Sequence, residues 1–209
     1  MGYMKVKENT EAAILEAAEK LFKEYGFKGT TTTLIAGQAG VTHAMLHYYF
    51  RTKEQIFIKV LDGYIMKMHG DLRMSMSPAK SIVDTVCEVT GKLFDFMNMH
   101  QGELHLLLEI AETHPEYLAK YHDGINMMMG QAFQRHDERL KEAVAEGLIA
   151  PVTMEKLILE MILAAYSVFA LLPMIRIAMD NDKDKLSAFI EEQKENVVRR
   201  MRDYLAVRK

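Results

Sequence analysis

Apolar residues recur at intervals of three and four along most of this chain, and that helical period constrains its fold more than any other feature. Ile14, Ala17, Ala18, Leu21, Phe22 and Tyr25 make one such stripe, and Leu186, Phe189, Ile190, Gln193, Val197, Met201 and Tyr204 another. Composition points the same way. Four prolines and twelve glycines in 209 residues leave too few turn formers for the many reversals of a sandwich or barrel. An apolar fraction of 49% with 26% charged residues excludes disorder and a fibrous repeat. The single cysteine, Cys87, excludes an internal disulfide and any multi-cysteine metal site. It falls in mid-helix without a cationic or glycine-rich neighbourhood, so a buried thiol is expected rather than a nucleophile. The start carries no apolar secretory segment, so a cytoplasmic protein is expected.

The spacing predicts nine helices and no strand. The first ends at Gly26, placed as a residue just past a helix should be. Threonines 30 to 33 supply a cap for a short second helix bearing Leu34, Ile35 and Ala39. Gly40 breaks it, and Thr42 caps a third helix through Phe50. A short helix, a glycine turn and a second short helix follow the helix-turn-helix plan. Long helices are predicted over about 53–76, 79–100, 115–147, 153–179 and 186–205, with a shorter one over 103–113. The 153–179 helix should kink near Pro173. Its uncharged run, 161–175, is too short for a membrane span and is flanked by Glu160 and Arg176. A helix buried in a core or a subunit interface is expected there, not a membrane partner.

The net charge of −3 hides an asymmetry. Residues 1–53 carry +2 and the remainder −5, and no Asp or Glu occurs between Gly26 and Lys53. A surface that lies on phosphates should avoid acids, since each would repel the backbone it approaches. In a helix-turn-helix the second short helix enters the major groove N-terminus first, while the flanks hold phosphates. Thr31, Thr32, Thr33 and Thr42 are therefore expected phosphate donors at two helix starts. His43, Ala44 and Met45 are the expected base readers. His47, Tyr48 and Tyr49 follow as polar contacts, and Lys53 adds a cation near the DNA backbone. His43 and His47 also have the spacing of a helical metal pair, but no third ligand lies near, so no metal and no cofactor is expected.

The segment resembles the DNA-binding domain of the TetR family of bacterial transcriptional repressors. The residues that carry the likeness are Gly26-Phe27, Thr30-Thr31, Ile35-Ala36, Ala39-Gly40-Val41-Thr42, Leu46, Tyr48-Tyr49-Phe50 and Lys53-Glu54. His47 stands where the family has a tyrosine and Ala44 where it has a glycine. The resemblance implies an all-α protein with two domains. Residues 1–53 would form the helix-turn-helix domain, and 54–209 a helical ligand-binding and dimerisation domain. In the family's layout Phe94, Met97, His100, Leu107 and Ile110 would face a shared cavity with Met128, Phe133, Tyr166 and Phe169. Several of the 17 methionines cluster here, and methionine suits adaptable apolar sites.

The function so implied is not enzymatic. It is a ligand-responsive regulator, a repressor that binds a palindromic double-stranded operator as a homodimer and is released by a small apolar or amphipathic effector. One short recognition helix reads too few base pairs alone, which makes a dimer necessary. The last two helices are expected to form its interface. The alternatives are a helical protein–protein adaptor, or a small-molecule-binding protein without a DNA function.

Overall fold

Local signals decide where the helices begin and end. The structure, a computed structural model, describes residues 2–73, 80–117, 134 and 136–207. Helix α1 spans Gly2–Gly29, α2 Thr32–Ala39, α3 His43–Tyr49 and α4 Lys53–Arg73. Helix α5 runs over Ile82–Met99 and α6 over Gln101–Thr113. Helix α7 spans Met154–Ala170, α8 Leu172–Ala178 and α9 Lys183–Leu205. Residues 136–145 are also helical, and the middle of the helix expected over 115–147 lies outside the described residues. Among the described residues there is no strand, so the all-α fold is as expected.

Residues 1–67 and 102–123 pack as one unit, and 68–101 with 124–209 as a second. Most of α4 and α6 packs in the unit that carries the helix-turn-helix. In the first unit the predicted stripe of α1 is buried at Ile14, Ala17, Ala18, Leu21 and Phe22. Tyr25, expected to continue it, is 53% exposed. Gly26 explains the change: at φ 70° and ψ 175° it leaves the helical region, and Phe27 turns into the core instead. Phe22, Phe27 and Phe57 then form a triangle of rings with centroids 5.1 to 5.8 Å apart. Edge-to-face and offset pairs at such separations contribute beyond their buried area.

In the second unit α5, α7 and α9 pack against one another. Val86, Leu93 and Phe94 of α5 meet a core shared with Leu157, Val168, Val197 and Met201. The sixth helix starts at Gln101, so the break falls at His100 and not at Gly102. The kink expected near Pro173 falls at Leu171, between α7 and α8, with a bend of 42°. Proline lacks an N–H and crowds the preceding turn, so the helix stops ahead of it and restarts with proline in its first turn. No single described helix is long and apolar enough to cross a membrane.

Candidate nucleic-acid interface

One threonine caps the start of each short helix. Thr31 Oγ1 accepts from Leu34 N–H at 3.2 Å to cap α2, and Thr42 Oγ1 accepts from Met45 N–H at 3.1 Å to cap α3. In this geometry the oxygen serves the helix and the hydroxyl proton is left over to donate outward. Between them Gly40 takes φ 66°, and its neighbour's N–H returns to the Ala36 carbonyl at 3.0 Å. A left-handed residue is needed to close a helix this way, and glycine adopts it without a Cβ penalty. The turn fixes α3 against α2, and Leu46 of α3 is wholly buried.

The residues expected to meet DNA lie together on the outside of this turn. Thr31, Thr33, Thr42, His43, Ala44, Met45, His47 and Tyr48 are exposed, whereas Thr32 and Tyr49 are half-buried. Tyr48 is the most open large hydrophobic side chain of α3, at 71%. Thr30, expected only as part of a capping run, is fully buried; its hydroxyl faces the Leu21 and Gly26 carbonyls at 3.0 and 2.8 Å and seals the end of α1.

Lys53, expected as a phosphate contact, also braces the loop ahead of α2. Its ammonium donates to the carbonyls of Phe27 and Thr30 at 2.8 and 2.9 Å and sits 4.3 Å from the centre of the Phe27 ring. Two of its three protons therefore hold the loop ahead of α2, because carbonyls left over at a helix end attract a cation.

On the amide side of the same loop stands Glu109 of α6, a pairing that no local spacing in the sequence announces. Phe27 N–H donates to Glu109 Oε2 at 3.1 Å and Lys28 N–H to Oε1 at 3.4 Å. Glu103 pairs with Lys23 at 2.7 Å. A second missed feature was legible: Thr52 and Gln55 form a reciprocal cap on α4, with Gln55 N–H to Thr52 at 3.3 Å and Arg51 N–H to Gln55 at 3.0 Å. The Thr-x-x-Gln spacing is its sequence signature.

The residues expected to share a ligand cavity divide between the two units. Leu107 and Ile110 belong to the unit that carries the helix-turn-helix, and Ile110 is fully buried there. Phe94, Met97, His100, Tyr166 and Phe169 belong to the other. Within it the Phe94 and Phe169 rings lie 4.8 Å apart, and His100 tilts over Phe96 at 4.4 Å. Met128 and Phe133 lie outside the described residues. Cys87 is buried, and burial raises its thiol pKa above the usual value, which suppresses thiolate chemistry. Among the described residues no cluster of three His, Cys, Asp or Glu side chains could hold a metal ion.

Residues 14–60 match the model of the bacterial regulatory proteins of the tetR family. The chain is 25% identical over 142 residues to the HTH-type transcriptional regulator YhgD of Bacillus subtilis, covering 68% of this chain and 73% of that one. It is 26% identical over 144 residues to the repressor NicS of Pseudomonas putida, covering 68% and 66%. Over 49 residues, 23% of each chain, it is 49% identical to the regulator RutR of Escherichia coli. Its fold is similar to a TetR family regulator of Marinobacter aquaeolei, with TM-score 0.68, 19% identity and coverage of 98% and 100%. It is also similar to the fatty acid degradation regulator FadR of Bacillus halodurans, with TM-score 0.59, 19% identity and coverage of 90% and 94%. With the capped, acid-free helix-turn-helix over the matched residues, these likenesses show a tetR-family helix-turn-helix over residues 14–60 and, over most of the chain, a similarity to helix-turn-helix transcriptional regulators.

Proposed function

We propose that the chain is a cytoplasmic repressor that binds a palindromic operator as a homodimer and is released by a small apolar molecule. The observation that carries the reading is the exposed start of α3. Thr31 and Thr42 present spare hydroxyl protons on either side of it, and no acid occurs from Gly26 to Lys53. Thr33, Tyr48 and Tyr49 extend the phosphate contacts, His47 adds a polar donor beside the bases, and His43, Ala44 and Met45 read base edges. Lys53 supports this surface from behind.

A dimer follows from reach, since two recognition helices are needed to read two half-sites. The exposed apolar side chains of α7, α8 and the residue between them supply the surface: Leu159, Ile162 and Leu163, then Leu171, Met174 and Ile177. Together with the half-buried Phe189 and Ile190 of α9, they make an apolar face that water would disfavour in a lone chain. The effector is proposed to bind among Phe94, Met97, Tyr166 and Phe169. The name of FadR, a fatty acid degradation regulator, agrees with an apolar effector here. Residues 54–209 would thus hold effector and partner, and 1–53 the DNA.

Binding to a randomised duplex pool tests the reading. Enrichment of a palindrome, with affinity that falls steeply as salt rises, is the expected result. A chain that enriches nothing and binds bulk DNA no better than an acidic control protein refutes it.

A further inference from the structure

The first residue of the recognition helix does not stand alone. His43 Nε2 lies 3.1 Å from the hydroxyl of Thr32, the first residue of α2, so a hydrogen bond joins the starts of the two short helices. One turn along α3, the His47 ring packs edge-to-face against His43 with centroids 4.4 Å apart and planes at 78°. A side chain at an exposed helix start ordinarily samples several rotamers, each of which would present a different atom to the groove. Here a hydrogen bond from one side and a ring from the other restrict both torsions of His43.

We infer that Thr32 is a positioning residue that determines base specificity, by holding His43 so that Nδ1 is the single ring nitrogen offered to the major groove. The inference rests on the operator reading above. It changes what Thr32 does, because a hydroxyl engaged with imidazole is not a phosphate contact. A ring with one nitrogen occupied makes one hydrogen bond outward, so His43 discriminates at one base pair of each half-site. The tautomer is coupled to the same bond: whichever proton lies between Nε2 and Oγ1 decides whether Nδ1 accepts or donates. An acceptor selects the amino group of adenine or cytosine, and a donor selects an acceptor atom, N7 or O6 of guanine, N7 of adenine or O4 of thymine. Thr32 therefore acts on both the direction and the polarity of the contact without touching a base.

The experiment begins with the palindrome that the wild-type protein enriches from a randomised duplex pool. Affinities are then measured for that duplex and for every symmetric single-base-pair change, with wild type, Thr32→Val, Thr32→Ser, His43→Ala and the Thr32→Val/His43→Ala double variant. Valine keeps the branched shape and removes only the hydroxyl, whereas serine keeps the hydroxyl. His43→Ala should flatten the preference at one base pair by roughly tenfold per half-site, the scale of a lost base contact. Thr32→Val should flatten the same base pair by several-fold, the double variant should lose no more than His43→Ala, and Thr32→Ser should restore the wild-type preference. Each figure is a ratio between duplexes, so partial unfolding of a variant cancels. The inference is overturned if Thr32→Val keeps the wild-type ratios, if its loss adds to that of His43→Ala, or if it weakens all duplexes alike with a shallower salt dependence, as a phosphate donor would. A wild type that enriches no sequence overturns the operator reading as well, which the other outcomes leave standing.

Discussion

Replacing Gly26 by alanine should destabilise the protein by about 3 kcal/mol, and the amount can be built from two contacts. Gly26 holds φ 70° and ψ 175°, a region almost closed to residues with a Cβ, at a cost of about 1–3 kcal/mol. A Cβ there would also lie 2.9 Å from Glu109 Oε2 and 3.3 Å from Oε1. The carboxylate must then move off the Phe27 and Lys28 amides, and a hydrogen bond to a charged group is worth about 1.5–3 kcal/mol. The lower unfolded-state entropy of alanine offsets roughly 0.4–1 kcal/mol of this sum. At about 2–4 °C per kcal/mol for a chain of this length, the melting temperature should fall by roughly 6–12 °C. Urea unfolding of wild type, Gly26→Ala, Glu109→Ala and the double variant forms the assay. Because alanine at 109 clears the space, the double variant should lose less than the two single losses combined. A Gly26→Ala protein within about 0.5 kcal/mol of wild type, the range of an ordinary surface change, would refute the reasoning, as would strict additivity.

Lys53→Met should lower stability by about 2 kcal/mol, since it strands the Phe27 and Thr30 carbonyls; unchanged unfolding with a shallower salt dependence of DNA binding would return Lys53 to phosphate. Leu163→Asp places a charge on a side chain 51% exposed in the single chain, so it should give a folded monomer by light scattering and circular dichroism. A variant that stays dimeric, or a wild type monomeric at micromolar concentration, rejects the α7 interface. Burial first, then the charge of Glu103, push the Tyr64 phenol well above its ordinary pKa. The unfolded chain therefore ionises first, and the stability is complete below about pH 10 and lost as pH rises past it. Between pH 9 and 11 wild type should lose ground to Tyr64→Phe in urea unfolding, and a constant gap between the two would reject that environment.

The sequence by itself determined whatever depends on neighbours three or four residues apart. The Thr31 and Thr42 caps, the left-handed Gly40 and the apolar stripe of α1 are local, so residue type and spacing carry them. Absence of acid from Gly26 to Lys53 is likewise legible in the sequence, and it marks the surface proposed to face DNA. Tertiary structure decided where long side chains end and what covers each apolar face. Glu109 reaches amides 81 and 82 residues earlier in the chain, and Lys53 turns to carbonyls more than twenty residues back. No period encodes either pairing, because both depend on how separate helices pack. Periodicity likewise showed that α6 and α7 have apolar faces. Only packing showed that Ile110 is buried in the unit of the helix-turn-helix while Leu163 is left open, because a stripe fixes which residues share a face and not what lies against it.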